Sequence, residues 1–295
     1  MRDKTPRPRP QKDSPASGGT LSASLFLAWL CVLTLMPFVV VLVMSFLQRD
    51  AQGALVWAPT LHNYVRCFQW TYVAVLLKTL CMALGATLAC LILGFHLAYF
   101  LAKQSGWLKN IGLILLFVPF WTNFILRVYA MVSLLGNHGL LNQAGQFFGL
   151  WSQPLPLLHT RWGVWIGLIY NYVPFLVVPV FSALDRLDPV LREAAFDLGA
   201  NRWQTFWKVV IPNVRSGIFV GCAFVFVPVL GEYVIPDLLG GAKEVYLGNV
   251  LVSQLFTMQD WPMASTIASL LCLTLLGVLV VKGRGEALRS KIAYA

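Results

Sequence analysis

Residues 183–212 read ALDRLDPVLREAAFDLGANRWQTFWKVVIP, a charged stretch with a strongly apolar run on either side. Asp188-Pro189 has the form of a helix start, a side-chain acceptor followed by proline at the first helical position. Gly199 ends that helix where a left-handed residue costs little. Asn201 and Gln204 then have the spacing of a reciprocal capping pair for a second short helix. The expectation is two short helices meeting at a glycine corner, tethered at both ends, charged on one side and apolar on the other. Such a knob suits a groove on a soluble partner.

Outward from this loop the chain is largely apolar. Of its 295 residues 58% are hydrophobic and 12% charged, against about 25% charged in an average soluble domain. A helix crosses the hydrocarbon core with about 20 apolar residues. Six segments qualify, near 25–47, 72–102, 108–135, 160–184, 213–235 and 263–282. The predicted class is an all-α membrane protein with six transmembrane helices. Leu25–Leu47 is too long for the apolar part of a signal peptide, and no small-residue cleavage site follows it. The expected organisation is a disordered tail over 1–24, a transmembrane domain over 25–285 containing the 185–212 loop, and a second tail over 286–295.

The charge balance is +10, but the cations lie between apolar runs and at the ends rather than on one folded face, so nucleic acid is not an implied partner. Membrane lipid is. Arg2, Lys4, Arg7, Arg9 and Lys12 fall in the leading tail, Lys103 and Lys109 in one turn, and Arg186, Arg192, Arg202, Lys208 and Arg215 in the 185–215 region. Lys282, Arg284, Arg289 and Lys291 close the chain, and the remaining segments hold only Arg49, Arg66, Lys78, Arg127, Arg161 and Lys243. The positive-inside rule then puts both termini and the 185–212 loop in the cytoplasm. No nucleotide-binding loop, zinc-protease motif or nucleophile elbow occurs. The cysteines show no metal-ligand spacing, so neither a cofactor nor a metal is implied.

Glu193-Ala194-Ala195, three residues, Gly199, nine residues, then Val209-Val210-Ile211-Pro212 resembles the EAA loop of ABC importer permeases, with Val209 and Ile211 in place of the usual Ile and Leu. PFWTNFILRVYA (119–130), GLLNQ (139–143), YNYVPFLVVPV (170–180), GEYVIPDLLGG (231–241) and DWPMAS (260–265) are similar to permease subunits of spermidine/putrescine importers. The resemblance implies a type I ABC importer permease fold in a bacterial inner membrane and alternating access driven by partner subunits. Those partners are a cytoplasmic ATPase dimer, a second homologous permease and a periplasmic solute-binding protein, and the cargo is a polyamine. It also implies that Glu193, Ala194, Ala195, Gly199 and Pro212 couple to the ATPase. An importer for another solute (anion, iron chelate or opine) is the nearest alternative. A secondary transporter is more remote, because no internal repeat is apparent.

A polyamine path needs carboxylates, aromatic faces and apolar surface for the methylenes. Glu232 and Asp237 lie at or near the outer end of a span. Glu232 is roughly 30 Å along a helix begun at Asn213, and Arg127 is as far from Leu108 on the third span, at about 1.5 Å per residue. The two are expected to be level, as an ion pair that orients helices or as part of an outer gate. Tyr172, Tyr233 and Trp121 are candidates for an aromatic lining, and Asn171 for a helix–helix hydrogen bond or a substrate contact.

Overall fold

The computed structural model describes residues 17–50 and 53–293, with side chains over 24–50 and 53–277. The first sixteen residues of the expected leading tail lie outside that range, as do the side chains of the expected trailing one. The first helix, α1 (Ser17–Ser45), opens inside the stretch expected to be tail. A two-residue hairpin, β1 (Gln48–Arg49) and β2 (Leu55–Val56), and α2 (His62–Cys67) follow. Then come α3 (Trp70–Lys103), α4 (Trp107–Phe117), α5 (Phe124–Leu135), α6 (Leu140–Phe147), α7 (Arg161–Asp185), α8 (Pro189–Asp197), α9 (Arg202–Thr205), α10 (Ile211–Gly231), α11 (Leu247–Val252) and α12 (Trp261–Ala293).

Among the described residues, five helical stretches are long and apolar enough to cross a membrane: Ser24–Ser45, Trp70–Lys103, Phe124–Phe147, Arg161–Asp185 and Arg202–Gly231. The expected span at 263–282 falls within α12. The expected span at 108–135 is not one helix. Pro119 brings no N–H to the ladder, α4 tightens into a 3-10 turn over Val118–Trp121, and the chain then extends at Thr122. Asn123 starts α5 by accepting a hydrogen bond from the Ile125 N–H at 2.8 Å. The fifth expected span stops early, at Gly231, because Glu232 leaves the helix in an extended conformation (ψ 129°).

The core is the bundle of α3, α7 and α10, which pack pairwise. Small residues recur along the buried face of α3 at Ala83, Ala86, Cys90, Gly94 and Ala98. In lipid, where apolar surface gains little by leaving its solvent, close backbone approach of this kind is what holds helices together. Leu168, Leu176, Val177 and Val180 of α7 and Val214, Val225 and Val229 of α10 fill the space between. Outside this bundle α1 packs mainly on α12, and none of its most apolar stretch is buried. Among the described residues three π-turns interrupt the helical segments, at Phe206–Val210, Pro236–Gly240 and Ser253–Thr257. The first leads into α10, the second follows the break at Glu232, and the third lies between α11 and α12.

Candidate functional site

The coupling candidates lie in the 185–212 loop leading into α10, Glu232 and Asp237 lie beyond its far end, and Asn171 and Tyr172 lie midway along α7. At the end bearing the 185–212 loop, the Asp188 carboxylate accepts from the Val190 N–H at 2.9 Å and so starts α8, with Pro189 in its first turn. The helix stops at Gly199, whose φ is +79°. The Gly199 N–H donates to the Phe196 carbonyl at 2.9 Å and the Ala200 N–H to the Ala195 carbonyl at 3.0 Å, closing the turn around that left-handed residue. Asn201 and Gln204 cap each other, at 2.8 and 3.0 Å. The second short helix is not separate, however. α9 runs on through the first π-turn, so Arg202–Gly231 is one continuous helical stretch.

Of the coupling candidates, Ala195 is buried, while Glu193, Ala194, Gly199 and Pro212 are exposed. Glu193 lines a cleft of about 450 Å³ with Pro189, Arg192 and Phe196 on one wall and Tyr99, Lys103 and Phe206 on the other. Spacings of three and four place the α8 residues on one face. Val190, Ala194 and Leu198 lie off that face and are exposed, Leu198 by 88%. Phe206 meets Phe95 and Tyr99 of α3 edge-on, with ring centroids 5.7 and 6.0 Å away. The base of the knob is therefore fastened to the core by aromatic contacts, while its tip is bare.

At the other end, Glu232 sits where α10 stops, and only 9% of it is exposed. Its Oε2 accepts from the Tyr172 hydroxyl at 2.6 Å, and its Oε1 accepts from the Val234 and Ile235 N–H groups at 3.0 and 3.4 Å. The carboxylate thus caps the following turn and joins α7 to it. Two of the candidates, Glu232 and Tyr172, are brought together.

The expected Arg127–Glu232 pair does not form. The Arg127 guanidinium instead lies over the Phe120 and Phe124 rings at 4.4 and 5.8 Å, and its Nε is buried without a partner. The rise arithmetic assumed a straight third span, and the break at 118–123 invalidates it. Asn171 is buried beside Tyr172; its Nδ2 donates to the Gly167 carbonyl at 2.9 Å within α7, and its Oδ1 is left without a partner. Tyr233 is half exposed and its carbonyl accepts from Asn249 at 3.2 Å. Asp237, on the second π-turn, and Trp121 are exposed.

Sequence reasoning confined the outer acids near spans to Glu232 and Asp237, and it missed Glu244 and Asp260. Asp260 pairs with Arg66 at 3.0 Å. Glu244, also 9% exposed, takes Lys78 of α3 at 2.9 Å, the Tyr246 hydroxyl at 2.8 Å and Arg161, the first residue of α7, at 3.6 Å. Burial pushes the Glu244 carboxyl up, but hydrogen bonds from Lys78 and Tyr246 and the charges of Lys78 and Arg161 outweigh it, so the group titrates below the usual carboxylate range. A lone lysine inside an apolar span was the available signal, since such a charge needs a counter-ion.

Comparison with known proteins gives concordant results. Residues 90–283 match the family described as binding-protein-dependent transport system inner membrane component. The spermidine/putrescine transport system permease protein PotB of Escherichia coli (strain K12) is 39% identical over 263 residues, which is 89% of this chain and 96% of that protein. PotB of Haemophilus influenzae is 37% identical over 248 residues, covering 84% of this chain and 87% of its own length. Among solved structures, a bacterial ABC transporter involved in the import of the acidic polysaccharide alginate superposes with a TM-score of 0.68. It covers 91% of this chain and 95% of its own, at 16% identity, and shares the fold.

Proposed function

The chain belongs to the family of binding-protein-dependent transport system inner membrane components, and from that premise we propose that it is the permease subunit of an ATP-driven polyamine importer. It takes putrescine or spermidine from a periplasmic binding protein and passes it inward beside a second permease, with both termini cytoplasmic. ATP is hydrolysed by a partner dimer that grips the 185–212 knob at its bare tip. Closure of that dimer moves the knob, and the aromatic contacts of Phe206 carry the motion to α3 while the continuous stretch from Arg202 carries it to α10.

The observation that carries the cargo assignment is the buried Glu232 carboxylate at the break after α10, beside the Tyr172 ring. A carboxylate and an aromatic face are the two groups that recognise an alkylammonium. They stand here in a chain whose relatives are named for spermidine and putrescine. Glu232 gives an ammonium its counter-charge, and Tyr172 holds the carboxylate in place between passages. Asp237, Tyr233 and Trp121 are the exposed groups of the entrance. Arg127, stacked on rings rather than paired, keeps a positive charge apart from the carboxylate. The test is uptake of labelled putrescine and spermidine by the assembled complex in liposomes, with the cognate binding protein outside and ATP inside. Saturable, ATP-dependent uptake of either is expected. ATP hydrolysis stimulated by a different solute, with neither polyamine transported, overturns the assignment.

A further inference from the structure

Lys78 is held in a way that describes a ligand. Its ammonium makes a 2.9 Å contact with Glu244 Oε2, donates to the Lys243 carbonyl at 3.4 Å, and lies 4.8 Å from the centre of the Tyr246 ring. A buried carboxylate, a carbonyl and an aromatic face are the recognition elements of a primary alkylammonium. The acceptors are built rather than borrowed from the surface. Glu244 is 9% and Tyr246 2% exposed, and the Tyr246 hydroxyl donates to the same Oε2 at 2.8 Å, fixing carboxylate and ring together. Arg161 approaches the other oxygen, Oε1, through Nε at 3.6 Å with two thirds of its side chain exposed, so the ammonium shares Oε2 with the Tyr246 hydroxyl and not with a second cation. Lys78 itself keeps 35% of its side chain exposed, so the cage is reachable from outside the fold.

We propose that the Glu244–Tyr246 cage is a second alkylammonium site, occupied at rest by the Lys78 side chain as a tethered stand-in for cargo. A lysine presents its ammonium on a four-carbon stem, as an aminobutyl chain does, so a polyamine end fits where the stem lies. The cage shares the Gly231–Leu247 segment with Glu232, which places the two carboxylates on either side of the 236–240 π-turn. Cargo arriving at the cage, one step before Glu232, displaces Lys78 and removes one of the ties between α3 and that segment, leaving the Leu247 N–H bond to Thr79 at 2.9 Å. This sequence of events rests on the polyamine reading above; the cage itself does not.

The experiment reads the cage without transport. The complete complex carrying Lys78→Ala is purified into nanodiscs and its melting temperature followed against n-butylammonium, with tetramethylammonium and sodium chloride at equal ionic strength as controls. The variant should melt lower than wild type, and butylammonium should restore it saturably while the controls do not. Wild type should respond little, because its cage is full. Lys78→Ala combined with Glu244→Gln should lose the rescue. If the alanine variant does not assemble, Lys78→Ser is titrated in the same way. A melting temperature insensitive to butylammonium, or raised equally by all three salts, overturns the proposal and leaves Lys78–Glu244 as a structural tie. Butylammonium rescue in a complex that transports no polyamine sinks the function above and keeps the cage.

Discussion

At Gly199 an added Cβ would meet no atom within 4 Å, whereas at Gly248 it would lie 2.5 Å from the Glu232 carbonyl oxygen. The two glycines stand at opposite ends of the core and are glycines for different reasons. Gly199 is required by its backbone alone, a φ of +79° at a corner surrounded by open space. Gly248 is required by its neighbours, because α11 runs against the chain where it leaves α10. Around Gly199 the apolar side chains are bare; around Gly248 two carboxylates are buried and fully engaged. An end left open and shaped only by its turns is ready for a partner to complete it. An end already closed on itself must be opened by something that competes for its contacts.

The sharpest way to break this contrast is to fill both glycines with the same residue. Gly248→Val forces a branched side chain against main chain that cannot yield cheaply, and overpacking of this kind costs typically about 1–3 kcal/mol and at times more. Loss of most assembled complex in detergent is expected. Gly199→Val places a β-branched residue in the left-handed region at about 1–2 kcal/mol, where an added Cβ meets no atom within 4 Å. Assembly should stay normal while uptake collapses, and Gly199→Asn, which tolerates that region, should keep most of it. Equal assembly defects for the two valine variants would erase the distinction between the ends.

Glu232→Gln gives the next largest effect. The amide oxygen still caps the following turn, so the amount of assembled complex should hold within twofold, while uptake per complex falls about tenfold or more, equivalent to at least about 1.4 kcal/mol. Adding Arg127→Gln should restore nothing, because the two side chains are not partners. Full uptake by the double variant would return Glu232 to a role in helix orientation.

The smallest effect is on acid stability. A carboxyl whose folded pKa is depressed stabilises the fold above its unfolded value, and that stability is lost as pH falls through the folded value. For Glu244 the loss should fall below the ordinary carboxylate range. Lys78→Ala leaves burial less opposed and should move the loss to higher pH, read as the acid midpoint of the melting temperature. An unchanged midpoint would mean that Lys78 does not govern this carboxyl.

The open end was far more legible in the sequence than the closed one. Asp188, Gly199, Asn201 and Gln204 are local signals, each acting within four residues, and the structure places every one where its spacing implied. The spans were legible because lipid demands long apolar runs. Arg127 and Glu232 were misjudged because their pairing depended on a helix staying straight across Pro119, and a proline announces a disturbance without its direction. Glu244 joins side chains from three distant segments, α3, the start of α7 and the 241–246 connection. No spacing rule reaches across such separations, although Lys78 alone in its apolar run announced that some acid had to answer it.

The π-turn at Phe206–Val210 holds one extra residue between the knob and α10 while leaving the two in angular phase. It holds one more residue per turn than an α-helix would, and each residue of helix is about 100° of rotation. Removing a single residue there would let the ladder close as ordinary α-helix, with hydrophobic content and caps intact. Four residues at about 100° each turn the chain about as far as the five residues of the wider turn do, so the face of α8 turned toward Lys103 and Tyr99 would keep its phase relative to the faces of α10 that pack on α7. Five residues thus act as a spacer that takes up one residue without turning the knob, so the side of it that faces the core is the same as an unbroken helix would present.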